Sequence, residues 1–196
     1  MPIAISTGAI IAIIAAVLVI ALLVWFIATR NKLVVADTNV EEAFSGMDIY
    51  MKKRYDLIPN LVATVKGYAE HESSTLEAVI AARNAAYKAD RSDKESLAAA
   101  ESNLAGALSR LMVVSEQYPQ LQADTQFLNL QQQLRQIETD IAQARKYYSG
   151  SVKQYNQKVR MFPSSIVAGM SGFKPAAYFE ITEADEREAP TVDFSK

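Results

Sequence analysis

The sequence predicts an all-α protein: an N-terminal transmembrane helix, then an up-and-down four-helix bundle of long helices, then an irregular C-terminal tail. Three observations carry this expectation. An uncharged apolar run covers Gly8 to Ala28. Beyond Leu33, apolar residues recur at helical spacing, with no convincing stretch of the period-two alternation that marks a half-buried strand. Finally, the chain holds only 7 glycines and 6 prolines, and most of the prolines sit near the ends of periodic segments, as expected of long helices. The organisation read from these patterns is an anchor at 1–30, a bundle at 31–163 and an acidic, aromatic-containing tail at 164–196.

The anchor comes first. "GAIIAIIAAVLVIALLVWFIA" has roughly the twenty apolar residues needed to cross a hydrocarbon core of about 30 Å. A secretory signal is the rival reading. It is disfavoured because the run is too long, no basic segment precedes it and no small-residue cleavage site closes it. Trp25 and Phe26 fall near one boundary, where aromatic rings favour the interface. Met1 to Thr7 hold no Lys or Arg, whereas Arg30 and Lys32 follow the run. The positive-inside bias then places the N-terminus outside and the C-terminal domain in the cytoplasm. The expected location is the bacterial inner membrane, with a single pass. Ala4, Gly8, Ala12 and Ala16 recur every four residues. Such a stripe lets spanning helices approach closely, so it is either a self-association face or a by-product of abundant alanine.

In the first soluble segment, Val40, Phe44, Met47, Met51, Ile58 and Val65 form one stripe. Its phase is kept across Pro59, which lacks an N–H and crowds the carbonyl of Tyr55. That favours one long helix kinked at Pro59. The alternative is a break, with Asp56 capping a new helix to about Lys88. "STLE" at Ser74–Glu77 and "SDKE" at Ser92–Glu95 have capping-box form. The helix after the second box carries Leu97, Ala100, Leu104, Ala107, Leu111, Val114 and Tyr118, and Pro119 ends it. Asp124 is the expected N-cap of the last helix. There Phe127, Leu130, Leu134, Ile137, Ile141, Ala144, Tyr148, Val152, Tyr155, Val159 and Phe162 share a face, and Pro163 stops the helix. Helices with one apolar seam bury it against one another. Short connections near 71–73, 90–92 and 119–123 make successive helices antiparallel.

Three blocks extend the reading: "VEEAFSGMDIYMKKRYDLIPNLVATVKGYAEHESSTLEAV", "EQYPQLQADTQFLNLQQQLRQIETDIAQARKYY" and "VKQYNQKVRMFPSSIVAGMSGFKPAAYFE". Together they resemble the LemA family of bacterial membrane proteins over nearly all of Leu33 to Glu180. The resemblance implies one span followed by an up-and-down helical bundle, and no established enzymatic activity. Phe44 stands where the family often has Trp, and Ser149 where it often has Asn. Gly150, inside the last helix, costs about 1 kcal/mol relative to Ala.

No reactive centre is read from the residues. With no cysteine there is no disulfide, thiolate metal site or thiol nucleophile. His71 is the one histidine and lacks the second histidine of a zinc helix. It reads as a polar residue at a helix junction, with a proton shuttle as the rival. No phosphate loop or nucleophile elbow is present, and Glu41 and Glu42 read as a solvated face. Catalytic, cofactor and metal residues are therefore expected to be none.

Lys52, Lys53 and Arg54 read as solvated cations paired with Asp48 and Asp56. The other reading is a contact with anionic headgroups. Arg145, Lys146, Lys153, Lys158 and Arg160 make the end of the last helix basic, with Tyr147, Tyr148 and Tyr155 interleaved. The tyrosines fall largely on the buried seam and the net charge is −2, so no nucleic-acid partner is expected. In the tail, Phe173, Tyr178, Phe179 and Phe194 either fold back on the bundle or dock on a partner.

Two functional expectations follow. One is a non-enzymatic, homo-oligomeric membrane scaffold that organises membrane or envelope components. The other is an adaptor or sensory module for a membrane protein such as a protease or transporter. The partners expected are the lipid bilayer, further copies of the chain and a membrane protein.

Overall fold

A computed structural model describes residues 7–179. Ala4, Phe194 and the rest of the tail beyond Phe179 lie outside the described residues. Helix α1 runs Thr7–Lys66, α2 Ser73–Lys88, α3 Lys94–Ser115, α4 Pro119–Gln122, α5 Thr125–Arg160 and α6 Ser164–Ser171, with a 3₁₀ turn at Glu70–Glu72 before α2. No strand occurs among the described residues. The described residues form two compact units, one of 7–43 and 150–176, the other of 44–149 and 177–179.

The second unit is the bundle. Met47, Met51, Ile58, Leu61 and Val65 of α1 are buried, with Leu76 and Val79 of α2, Leu97, Leu104 and Leu111 of α3, and Phe127 and Leu134 of α5. Each such side chain contributes about 1.5–3 kcal/mol by leaving water. The expected stripe on α1 is therefore a core seam, and the helix passes through Pro59 without a break. Its passage has a specific support. Pro59 deprives the Tyr55 carbonyl of its helical donor, and Arg83 Nε of α2 donates to that carbonyl at 3.0 Å.

Local chemistry sets the helix ends, in places differently from expectation. α1 stops at Lys66, before Gly67, so the first connection is 67–72 rather than 71–73. α2 begins at Ser73 with no side-chain cap, so "STLE" does not act as a capping box. The turn at Glu70–Glu72 already delivers the chain into the helix. "SDKE" also works in another register: Asp93 is the N-cap and accepts from the Ser96 amide at 3.0 Å. α2 is closed by Arg91, whose Nη1 donates to the carbonyls of Ala86, Tyr87 and Ala89. Those carbonyls lack helical partners, and a cation there also suits the helix dipole. Asp124 caps α5 as expected, accepting from the Phe127 amide at 2.8 Å. Its other oxygen accepts from Tyr68 at 2.9 Å.

The first unit joins α1 up to Ala43 with the end of α5 and with α6. Leu33, Ala36 and Val40 are buried with Val152, Tyr155, Val159, Val167 and Ala168. The first part of the tail segment is thus helical: α6 ends at Gly172, whose φ of 79° suits glycine, and the Phe173 amide donates back to Ala168 at 3.0 Å. Lys174–Ala176 then lie extended along α5. Tyr155 donates to the Lys174 carbonyl at 2.9 Å. The Asn156 amide both donates to the Ala176 carbonyl at 2.9 Å and accepts from the Ala176 N–H at 2.8 Å. One placement on α5 is corrected here. Phe162 is not on the seam, because the helix ends at Arg160 and the side chain is 80% exposed.

Candidate functional site

Two features stand out from the fold, a bare apolar helix surface and a buried cluster of charge. The first is the start of α1. At about 1.5 Å rise per residue, Gly8–Ala28 reaches roughly 30 Å. None of its most apolar window is covered by the other described residues. Ile10, Ile14, Val17, Leu18 and Leu22 are all exposed. A helix apolar on every side is not a surface for water. It is the one described helix long and apolar enough to cross a membrane. Gly8, Ala12 and Ala16 lie on this surface and are exposed.

The second feature was not legible as a site. Arg54 is only 2% exposed, against the expectation of a solvated cation. Its Nη1 donates to both carboxylate oxygens of Glu138, at 2.7 and 3.0 Å, and its Nη2 pairs with Glu101. Glu101 is 1% exposed and takes a second hydrogen bond from the Tyr55 hydroxyl. Arg54 Nε has no hydrogen-bond partner among the described residues. The cluster ties α1, α3 and α5. Burial raises the Tyr55 pKa, against the lowering influence of Arg91 and Arg54, so the hydroxyl stays a proton donor at neutral pH. Lys52 does behave as expected and pairs with Asp48 at 2.7 Å.

The seam of α3 explains why the cluster is hidden in the sequence. Leu97, Glu101, Leu104, Leu108, Leu111 and Ser115 are buried along it, with Ala98 beside Leu97. Ala100, Ala107, Val114 and Tyr118, expected on the seam, are only partly buried. The polar Glu101 and Ser115 interrupt an apolar count. Admitting one charged residue into a 4,3,4,3,4 spacing would have revealed the seam.

Chemically the cluster can fix the register of three helices. Its one hydroxyl, that of Tyr55, is spent on the buried Glu101 carboxylate, and no group of three or more metal-ligating side chains occurs among the described residues. His71 sits exposed in the turn between α1 and α2. Beside the cluster, an open groove of about 680 Å³ runs between α3 and α5, lined by Leu108, Met112, Leu134 and Glu138.

The tail residues divide. Phe179 is 2% exposed within its own chain, so it is no free anchor for a partner. Tyr148 donates to the Ala177 carbonyl at 2.8 Å and holds the segment leading to it. Phe173 is half-buried and Tyr178 exposed.

A helix apolar on every side that passes into a helical bundle defines the class, a helical protein associated with a membrane. The particular family follows from sequence comparison. The model of the LemA family matches residues 43–194, and the chain belongs to that family. It is similar to magnetosome protein MamQ 2 of Paramagnetospirillum magneticum, 24% identical over 186 residues, covering 83% of this chain and 68% of the relative. It is also similar to magnetosome protein MamQ of Magnetospirillum gryphiswaldense, 32% identical over 85 residues, covering 43% of this chain and 31% of the relative. A third relative is protein LemA of Metamycoplasma hominis, 22% identical over 168 residues, with 86% and 76% covered.

Proposed function

We propose that this protein is a single-pass, non-enzymatic scaffold of the bacterial inner membrane that self-associates to organise membrane or envelope components. The observation that carries the reading is the wholly uncovered apolar surface of α1. Lipid supplies the cover that the other described residues do not. Gly8, Ala12 and Ala16 leave one side of that helix narrow, and a second copy can approach there. Arg30 and Lys32 after the run support an outside N-terminus and a cytoplasmic bundle. The buried charge cluster adds helix register rather than chemistry, which favours a structural role.

The test is the size of the full-length protein in mild detergent, with and without the residues beyond Phe179. A large homo-assembly is expected in both, and Ala12→Ile with Ala16→Ile should shrink it. A small oligomer that retains a stoichiometric foreign protein would replace this reading with the adaptor. One observation favours that second reading: the bundle carries the groove beside Glu138 and another of about 430 Å³ lined by Val62, Leu76 and Ile80. A membrane partner such as a protease or transporter would seat a helix or loop there. Because the chain has no cysteine, single-cysteine labelling from either side of the membrane reads the topology directly.

A further inference from the structure

The corner between α5 and α6 carries apolar side chains that its own unit leaves bare. Met161, Phe162, Ile166 and Met170 are exposed by 51–80%. Ile166 and Met170 are four apart on α6 and so share a face, while Val167 and Ala168 on the other side are buried. The corner is tied in place. Ser164 Oγ donates to the carbonyls of Lys158 at 2.7 Å and Met161 at 2.9 Å.

The location of the corner identifies what covers it. A pocket of about 260 Å³ is lined by Trp25, Thr29 and Lys32 of α1 and by Lys158, Pro163 and Ser164. The corner therefore lies beside the end of the apolar run, at the level where an aromatic ring and the first cations mark a membrane interface. The local charge is equally pointed. Residues 150–176 hold Lys153, Lys158, Arg160 and Lys174 and no Asp or Glu, in a chain of net charge −2. Lys32, Lys158 and Arg160 are in none of the ion pairs of the described residues. The same corner of a second copy would set cation against cation. An anionic bilayer surface offers both an apolar layer for Phe162 and phosphates for the cations.

We propose that Met161–Met170 is a second membrane contact. It seats Phe162, Ile166 and Met170 in the interface of the bilayer that α1 crosses, while Lys32 and Lys158 hold the phosphate of an anionic phospholipid at the pocket beside Trp25. This rests on the reading that α1 spans.

The test uses the full-length protein in vesicles of phosphatidylcholine with and without phosphatidylglycerol. Trp25 is the only tryptophan, so its quenching by brominated lipid reports on the pocket without a label. Brominated phosphatidylglycerol should quench it more than brominated phosphatidylcholine at equal fraction. Lys32→Gln and Lys158→Gln should each lower that preference roughly fivefold. In parallel, a dye on Phe162→Cys should be shielded from a water-soluble quencher, with Leu18→Cys marking the span and Lys88→Cys the solvent. A Leu18→Cys dye open to water removes the span and this proposal together. If Leu18→Cys is shielded while Phe162→Cys is as open as Lys88→Cys, or Trp25 shows no lipid preference, the corner proposal alone is overturned. Disulfide formation between two Phe162→Cys chains would assign the corner to a second copy and overturn the lipid assignment.

Discussion

The two units each bury a polar group, and the two groups are of different kinds. The bundle unit buries charge: Arg54 and Glu101, joined by Tyr55 and the groove-lining Glu138. The unit with the membrane-facing segment buries a neutral amide, Asn156, matched donor for acceptor to the backbone of Ala176. Desolvating a charge is expensive, and a buried ion pair is often no better than an apolar replacement of the same size. The unpartnered Arg54 Nε adds to that expense. The charge cluster is therefore best understood as a device for register, because any slip of α1, α3 or α5 strands a charge in the core. The amide clasp holds one short irregular segment and needs no such penalty to be specific.

Breaking the cluster on one side should give the largest effect. Glu101→Ala leaves Arg54 with half its pairing and should destabilise the bundle by about 3–5 kcal/mol, read from the denaturant midpoint followed by circular dichroism. Replacing both partners, Arg54→Leu with Glu101→Leu, should recover most of the loss. If Glu101→Ala alone left the midpoint in place, the cluster would not be setting the register. Breaking the clasp should do less. Asn156→Ala removes two hydrogen bonds and exposes the groups they satisfied, a loss of roughly 1–3 kcal/mol. Here the sharper measurement is hydrogen exchange: the Ala176 amide should lose protection while the amides of α3 keep theirs.

The contrast between the units also separates what was legible in the sequence from what was not. The apolar run of α1, the α1 and α5 seams and the Asp124 cap follow from spacing and short-range chemistry, so they could be read in order along the chain. Arg54 stood beside Lys52 and Lys53 and looked like one more surface cation. What buries it is Glu101 and Glu138, distant in sequence and both polar, and a count of apolar positions passes over such residues. The Asn156 clasp needs the chain to turn back through α6, a helix the tail's proline and acidic content concealed. Phe162 was misplaced for the same reason: the turn at Pro163 places it, not the helical phase. Phe179 takes the fold-back alternative, on the segment that returns from α6.

Pro59 gives the next test, where a local rule is rescued by a remote residue. Arg83→Met would leave the Tyr55 carbonyl without a donor and should destabilise the bundle by roughly 1–2 kcal/mol. Pro59→Ala restores a helical N–H that can serve the same carbonyl. In that background Arg83→Met should have a smaller effect, so the two changes should couple in a double-mutant cycle. Simple additivity would mean that Arg83 acts through its stacking on Tyr87 instead, where its guanidinium lies 5.1 Å from the ring centroid.

The smallest expected effect is a gain, and it falls where the two units divide α5. Gly150 lies inside that helix, at an exposed position with open space where a Cβ would go. Its φ is not positive, so no turn or close approach requires glycine there. Gly150→Ala should stabilise the protein by about 0.5–1 kcal/mol, chiefly by narrowing the unfolded ensemble. The gain should appear as slower hydrogen exchange on both sides of residue 150, in the turn before it and the turn after. If stability rose but self-association or membrane binding fell, the glycine would be kept for flexibility between the units rather than by chance. A rise in stability with assembly unchanged would leave the helix as a plain connection.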